Sequence, residues 1–491
     1  MTRRTKTRIR VAVALAAVAF FCALPELIRQ VGPAEARPLY TARAGRTCDN
    51  CHTDPTGWKN PSLALRKCTL SCASCHVNPT GGGLRTAAGR FYGQATLPLV
   101  LASHRPHKDH GRHLVRALGW PKNRRNRIGD PAWGKPAGRA TVLSPDEDRY
   151  AGLRADPLVL AGVDGRLGFW FPEGASLVFP MQLDIHLAVH PTRHLTALVS
   201  GGVLGKSQGY TATFGMECLP GESDADCHSR ARSTPFAVKD TYLMVHQLPL
   251  MGYLRAGRFV PPFGLMFSDH TLSTRRLFEL DHGLLHSRVL GAELGLSPNY
   301  PYLHVAVFRP NQQDRFASSG DPRSPDELPP FVGVDGWGVA ASGGWRDLGF
   351  QVGLSVMAKR RALNTGGDTE AVALSVGFNP WYYLPWLPLT YMGEVVVGRR
   401  QRAGSGENTG QLALTQELDY LAFNGLNLRV RHDYGDLDTE VAGDHYNRLS
   451  VGGDLVLLPG LGLSGMFRVQ FSGGEASETA TDGFMYIRAW Y

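Results

Sequence analysis

Beyond about residue 155 the chain alternates between apolar and polar positions. Leu183, Ile185, Leu187 and Val189 fall on one side of a period-two pattern, and Gln182, Asp184 and His186 fall on the other. Leu412, Leu414, Leu418 and Tyr420 oppose Gln411, Thr415, Glu417 and Asp419 in the same way, and Leu426, Leu428 and Val430 oppose Asn427, Arg429 and Arg431. Leu449, Val451 and Leu455 oppose Arg448, Ser450 and Asp454. Leu463, Phe467, Val469 and Phe471 oppose Ser464, Arg468 and Gln470. A period of two marks a β-strand with one apolar face. No apolar run in this region approaches the roughly 20 residues of a membrane-spanning helix.

Such strands build either a soluble sandwich or a membrane barrel with its apolar face outward, and the connections separate the two. Segments of alternating polarity between 158 and 491 number about sixteen. The links at 190–192, 249–250, 297–299, 345, 424–425 and 459–460 are tight, and the one at 381–385 is longer but apolar and aromatic. Between them come 206–235, 261–286, 310–332, 359–368, 400–409, 435–444 and 473–480, mostly longer and more polar. Short turns at one end and long loops at the other are the pattern of a bacterial outer-membrane barrel. A sandwich has no reason to keep that parity. The predicted fold class is all-β, a transmembrane antiparallel β-barrel of about sixteen strands over 156–491, with a small N-terminal segment plugging its lumen. An even strand count puts both barrel ends, and the closing aromatic residues Trp490 and Tyr491, at the short-turn, periplasmic side.

Residues 1–36 read as an export leader. Arg3, Arg4, Lys6, Arg8 and Arg10 precede an apolar run from Val11 to Leu24, and Ala34-Glu35-Ala36 offers a small-residue cleavage site. Removing that leader, with its six basic and two acidic residues, lowers the formal net charge from +9 to about +5. That balance does not point to nucleic acid. Basic residues gather in 115–155, notably Lys122, Arg124, Arg125 and Arg127. This stretch reads as a solvated linker or as a docking surface for an acidic partner protein.

The chemistry lies in 37–114. Cys48-Asp49-Asn50-Cys51-His52 and Cys72-Ala73-Ser74-Cys75-His76 are both C-x-x-C-H, and they continue alike through Thr-Asp-Pro-Thr-Gly and Val-Asn-Pro-Thr-Gly. At this spacing two thiols add across the two vinyl groups of one haem, and the adjacent His ligates its iron. Zinc sites and redox dithiols also use paired Cys, but neither requires His after each second Cys. The cofactors expected are therefore two covalent haems c, with His52 and His76 as proximal ligands. No Met occurs between Arg37 and Pro180. The remaining axial positions are then expected from two of His104, His107, His110 and His113, a cluster that otherwise reads as a solvated turn or a small metal site. A second set, His270, His282 and His286 with Asp269 and Asp281, falls in the loop 261–286. It reads as a polar constriction loop, with haem ligation or metal binding as the alternatives. Cys218 and Cys227 sit in a polar stretch and read as a loop disulfide. Cys68 has no assigned role.

The run Cys75-His76-Val77-Asn78-Pro79-Thr80-Gly81-Gly82-Gly83, then Gly89-Arg90-Phe91-Tyr92-Gly93, Phe179-Pro180-Met181-Gln182-Leu183-Asp184 and Gly257-Arg258-Phe259-Val260-Pro261-Pro262-Phe263-Gly264 carry a resemblance. The chain resembles the fused outer-membrane cytochrome–porins of iron-oxidising bacteria and the porin subunits of porin–cytochrome conduits in metal-respiring bacteria. It has two C-x-x-C-H motifs where the fused cytochromes typically have one. The resemblance implies an electron carrier in the bacterial cell outer membrane rather than a bond-making enzyme, an Fe(II)-oxidising cytochrome being one variant. It also implies partners: a periplasmic c-type cytochrome on one side, and an extracellular donor or acceptor (iron, another metal or a surface cytochrome) on the other. A hydrocarbon core of about 30 Å admits no bare backbone, so roughly residues 40–100 are expected to fill the lumen, with 115–150 returning to the periplasmic mouth. The competing expectations are a solute porin with a periplasmic dihaem domain, and a haem-based sensor gating a channel.

Overall fold

The computed structural model describes Cys72, residues 76–86 and residues 158–490, apart from 173–175, 193, 205–235, 268, 270, 279, 281–286, 298–300, 311–335, 347–348, 362–366, 385–386, 402–405, 424, 459 and 474–478. The chain divides into two units, Met1–Glu35 and Ala36–Tyr491, and the first lies outside the described residues.

Sixteen strands follow one another in the second unit. They are β1 (Val159–Pro172), β2 (Leu177–Thr192), β3 (Leu195–Leu204), β4 (Phe236–Leu248), β5 (Gly252–Phe259), β6 (Val289–Leu296), β7 (Pro301–Arg309) and β8 (Gly336–Arg346). The second half comprises β9 (Phe350–Arg361), β10 (Thr369–Phe378), β11 (Leu389–Gln401), β12 (Asn408–Phe423), β13 (Leu426–Asp436), β14 (His445–Leu458), β15 (Leu461–Ser472) and β16 (Thr479–Trp490). Each pairs antiparallel with its sequence neighbours, and β16 returns to β1, closing the barrel. The closing seam runs from Asp164 opposite Trp490 to Pro172 opposite Asp482. Closure leaves no strand edge unpaired, which is the condition for a sheet to sit in hydrocarbon.

The alternation resolves as polar inside and apolar outside. Leu183, Ile185 and Leu187 are exposed while Asp184 and His186 are buried, and Leu428 and Val430 are exposed while Asn427, Arg429 and Arg431 are buried. An outer face of half-exposed Leu, Val and Phe is the face a bilayer covers. Aromatic side chains mark its two rims. Trp345, Phe378, Tyr383 and Tyr420 lie exposed near the short-turn end, and Phe171, Trp337 and Phe471 near the other.

The parity of the connections also holds. The β4–β5 link is the single turn Pro249–Met251, and the aromatic β10–β11 link holds a one-turn helix at Pro380–Tyr383 whose Tyr383 ring stacks on Phe378 at 5.9 Å. One departure is the β1–β2 link at 173–176, which is brief although it sits at the long-loop end. A second correction concerns β8 and β9. Trp345 pairs with Pro301 and Val352, and Arg346 pairs with Gln351, so β8 continues past the expected turn at 345 and the reversal falls at 347–349. The shortest strands, β5 and β6 with 8 residues each, fall below the roughly 9–11 needed to cross at a tilt. They flank a loop that turns inward.

Candidate functional site: the barrel lumen

The inward wall is lined with charge, and the charges are matched between strands. Lys239 of β4 binds Asp184 of β2 at 2.5 Å, Arg255 of β5 binds Glu293 of β6 at 2.7 Å, and Arg448 of β14 binds Asp433 of β13 at 3.1 Å. Across the seam, Nε of Arg488 donates to Asp164 at 2.9 Å, and between β15 and β16 Nε of Arg468 donates to Asp482 at 2.7 Å. A charge buried in a narrow lumen keeps its ionised form only when a partner and further hydrogen bonds replace water. The pairing therefore says that this interior is packed rather than freely wet.

The packing comes partly from the loop after β5. Its backbone enters the lumen and is fastened to the opposite wall. The Gly264 amide donates to Ser355 Oγ at 2.9 Å, and the Leu265 amide donates to Glu394 Oε1 at 2.5 Å. Asp269 accepts from Arg431 at 2.5 Å, a guanidinium that also donates from Nε to Glu417 at 2.9 Å. A single helical turn, α1 (Ser273–Arg276), rests against β11, β12 and β13. Beneath it Phe263, Phe278 and Leu280 join Phe259, Phe308 and Val396 in one buried apolar cluster. The loop is thus an internal constriction, in keeping with the polar-constriction expectation. Asp269 is one of its fastenings; His270, Asp281, His282 and His286 lie outside the described residues.

The second occupant of the lumen is the segment around the second C-x-x-C-H motif. The His76 amide donates to the Cys72 carbonyl at 2.9 Å, closing one turn that carries both ends of the motif. His76 then pairs with Arg85, and the Val77 amide donates to Leu84 at 2.9 Å, forming a small hairpin. Its tip is Gly81-Gly82-Gly83, with φ of 98°, 79° and 61°, a left-handed run that side chains rarely adopt. Asn78 Oδ1 accepts from the Thr80 amide at 3.2 Å and from Arg255 Nη1 at 2.9 Å, tying the hairpin to the wall. Val77 and Leu84 are 3% and 2% exposed, Cys72 is buried within electrostatic reach of Tyr253, and Arg85 lies over the Trp490 ring at 5.3 Å. His186 of β2 faces the tip: a Cβ on Gly83 would sit 3.8 Å from its Cε1.

Of the residues expected to carry chemistry, the described ones are Cys72 and His76, and the turn brings them together. Cys48, Cys51, His52, Cys75, His104, His107, His110, His113, Cys218 and Cys227 lie outside the described residues. Among the described residues no group of three or more His, Cys, Asp or Glu is arranged to hold a metal ion. Sequence reasoning missed the Asn78–Arg255 contact and the buried set in which Tyr253 donates to Glu293 and lies 2.8 Å from His304 Nδ1. The visible signal was only that Arg255, Glu293 and His304 occupy inward positions of their strands. At the long-loop rim, lost hydration and the neighbouring Asp436 hold the Asp444 carboxyl above the usual carboxylate range.

The chain is a closed, porin-like β-barrel of sixteen strands. No family model and no curated protein matches it. Solved barrels similar to it include the anion-selective porin from Comamonas acidovorans, at 10% identity and a TM-score of 0.47, covering 68% of this chain and 99% of that one. OmpT, an outer membrane protein of Vibrio cholerae, is 8% identical with a TM-score of 0.46, covering 68% and 99%. OprB of Pseudomonas putida is 9% identical with a TM-score of 0.46, covering 67% and 93%.

Proposed function

We propose that the chain carries electrons across a bacterial outer membrane by way of two covalently held haems c, between a periplasmic c-type cytochrome and an extracellular donor or acceptor. One observation supports this above the others: the second C-x-x-C-H segment is folded into the lumen and bound to its wall through Asn78 and Arg255. A periplasmic appendage beside an open pore has no need of that bond. The residues present fit the group the motif implies. Cys72 and His76 end one closed turn, as needed for a thiol and an imidazole to meet the same ring. Cys48, Cys51, Cys72 and Cys75 would hold the two groups by adding S–H across vinyl double bonds with nothing released, and His52 and His76 would ligate iron. Bound in this way, haem supplies reversible one-electron chemistry at its iron. The barrel's contribution is to keep lipid away, through its apolar outer face, and to narrow the lumen, through the loop pinned by Arg431 and Glu394. In this reading the long loops, Asp436 and Asp444 among them, face outward and the short turns face the periplasm.

The test is reconstitution of the full chain in liposomes loaded with a reduced redox dye. Dye oxidation by an external ferric chelate, with no leakage of small solutes, is the expected result. Solute flux without electron transfer, from protein lacking covalent haem, would replace the proposal with a solute channel built on the same barrel. Stoichiometric carbon monoxide binding to the dithionite-reduced protein would favour a haem-based sensor.

A further inference from the structure

We propose that His186, a residue of the barrel wall, is the second axial ligand to the haem held by Cys72, Cys75 and His76. The inference rests on the haem reading above, and it moves one distal ligand from the His104–His113 cluster to strand β2. His186 stands on the inward side of the β2 alternation, between the outward Ile185 and Leu187, and is 7% exposed. Its Nε2 is buried and makes no hydrogen bond. Buried polar nitrogens are nearly always paired, so an imidazole in this state is poised for a partner that the described residues do not supply. Two other inward histidines each use a ring nitrogen in a hydrogen bond: His246 Nε2 with Thr196 Oγ1 at 2.7 Å, and His304 Nδ1 with the Tyr253 hydroxyl at 2.8 Å.

The position is also right in kind. His186 faces the hairpin that begins at His76, and it does so at Gly83, where an added Cβ would lie 3.8 Å from the ring's Cε1, in ordinary contact. Arg255 fixes that hairpin through Asn78, so the proximal residue and the wall histidine belong to one packed unit. Around the ring the carboxylates of Asp184, Asp240 and Asp164 lie within electrostatic reach, with Lys239 bound to Asp184. A nitrogen rather than a thioether as second ligand leaves a low to moderate potential, suited to a relay.

The experiment uses the purified full-length protein, with its barrel checked by heat-modifiable gel migration. Pyridine haemochromogen is measured first and must give two haems per chain; any other count defeats the haem reading itself rather than the ligand assignment. Electron paramagnetic resonance of the resting protein is expected to show two low-spin centres. In His186→Gln, one of the two should become high-spin and, after reduction with dithionite, bind carbon monoxide, and imidazole should restore the low-spin signal of the oxidised protein. His186→Met keeps similar volume and a ligating atom, and should introduce the long-wavelength charge-transfer band of thioether ligation at one haem. A combined substitution of His104, His107, His110 and His113 should leave that haem low-spin. The proposal is overturned if both His186 variants retain two haems and unchanged spectra, or if the dithionite-reduced wild-type protein already binds carbon monoxide at one haem.

Discussion

Two segments enter the barrel, and they are held there by different means. The loop from Val260 to Leu280 leaves one strand and returns to the next, so its insertion closes a short path whose entropic cost grows only slowly with length. It is fastened by buried charge, through Arg431 with Asp269 and Arg448 with the Thr271 carbonyl, and by an apolar cluster around Phe278. Among the described residues, the hairpin 76–85 is held by neutral and apolar contacts as well as charge: a hydrogen bond from Arg255 to Asn78, the buried Val77 and Leu84 side chains and a guanidinium over Trp490. Without the hairpin, Arg255 would still have Glu293. Without the loop, Arg431 would still have Glu417, but Phe259, Phe308 and Val396 of the wall would lose the cluster they form with Phe278 and Leu280. The loop is therefore part of what makes the barrel a solid object, whereas the hairpin is a unit docked on a wall that stands without it.

The largest test of this difference is Arg431→Ala. It strips Glu417 and Asp269 of their closest partner in a site where both Arg431 and Glu417 are almost wholly buried. Breaking such a pair costs about 3–5 kcal/mol. Urea unfolding in detergent micelles should show that loss together with new protease sensitivity in the loop. An unchanged midpoint would mean the loop is not integral to the wall. Gly264→Ala should follow in size. The residue has φ of +60°, which costs an L side chain about 1–2 kcal/mol, and an added Cβ would also collide with Glu394 Oε1 and crowd Arg275. The pair that pins the loop must then move, so single-channel recordings are expected to show a wider lumen.

How much of this was legible follows from the range of each interaction. The strands were visible because period two is local, and because two solvents, lipid and a packed lumen, act on alternate residues from Leu183 to Phe471. The turn parity was visible for the same reason, except at Trp345 and Arg346, whose pairing with Pro301, Val352 and Gln351 carries β8 past the aromatic residue that looked like a corner. The inward loop was identifiable by position but not by partner, since Asp269 and Arg431 are 162 residues apart. The wall side of the site was hidden entirely. Asn78 and Arg255 are 177 residues apart, and nothing in the alternation of β2 separates His186 from Asp184 two positions earlier.

Asn78→Ala gives the next effect. A hydrogen bond to a charged group contributes about 1.5 kcal/mol or slightly more, and here the loss should fall on the hairpin alone. The expected result is faster proteolysis near residue 80 with the unfolding midpoint of the barrel unchanged. A shift in that midpoint as large as that of Arg431→Ala would erase the distinction between docked and integral segments.

The smallest effects come from the hairpin tip, and they separate backbone from site. Gly82 has φ of +79° with open space around its added Cβ, and Gly83 has φ of +61° with His186 Cε1 at 3.8 Å. Alanine at either position should cost about 1 kcal/mol through the left-handed backbone alone, since 3.8 Å is ordinary contact. The two variants should then loosen the hairpin equally, as read by hydrogen exchange at the Val77 and Leu84 amides. Only Gly83→Ala sets a methyl group against the His186 ring. If that imidazole serves the proposed haem, its axial signature should shift in Gly83→Ala and not in Gly82→Ala. Equal spectral shifts in both would trace the change to the hairpin backbone, and the wall would lose its claim to a ligand.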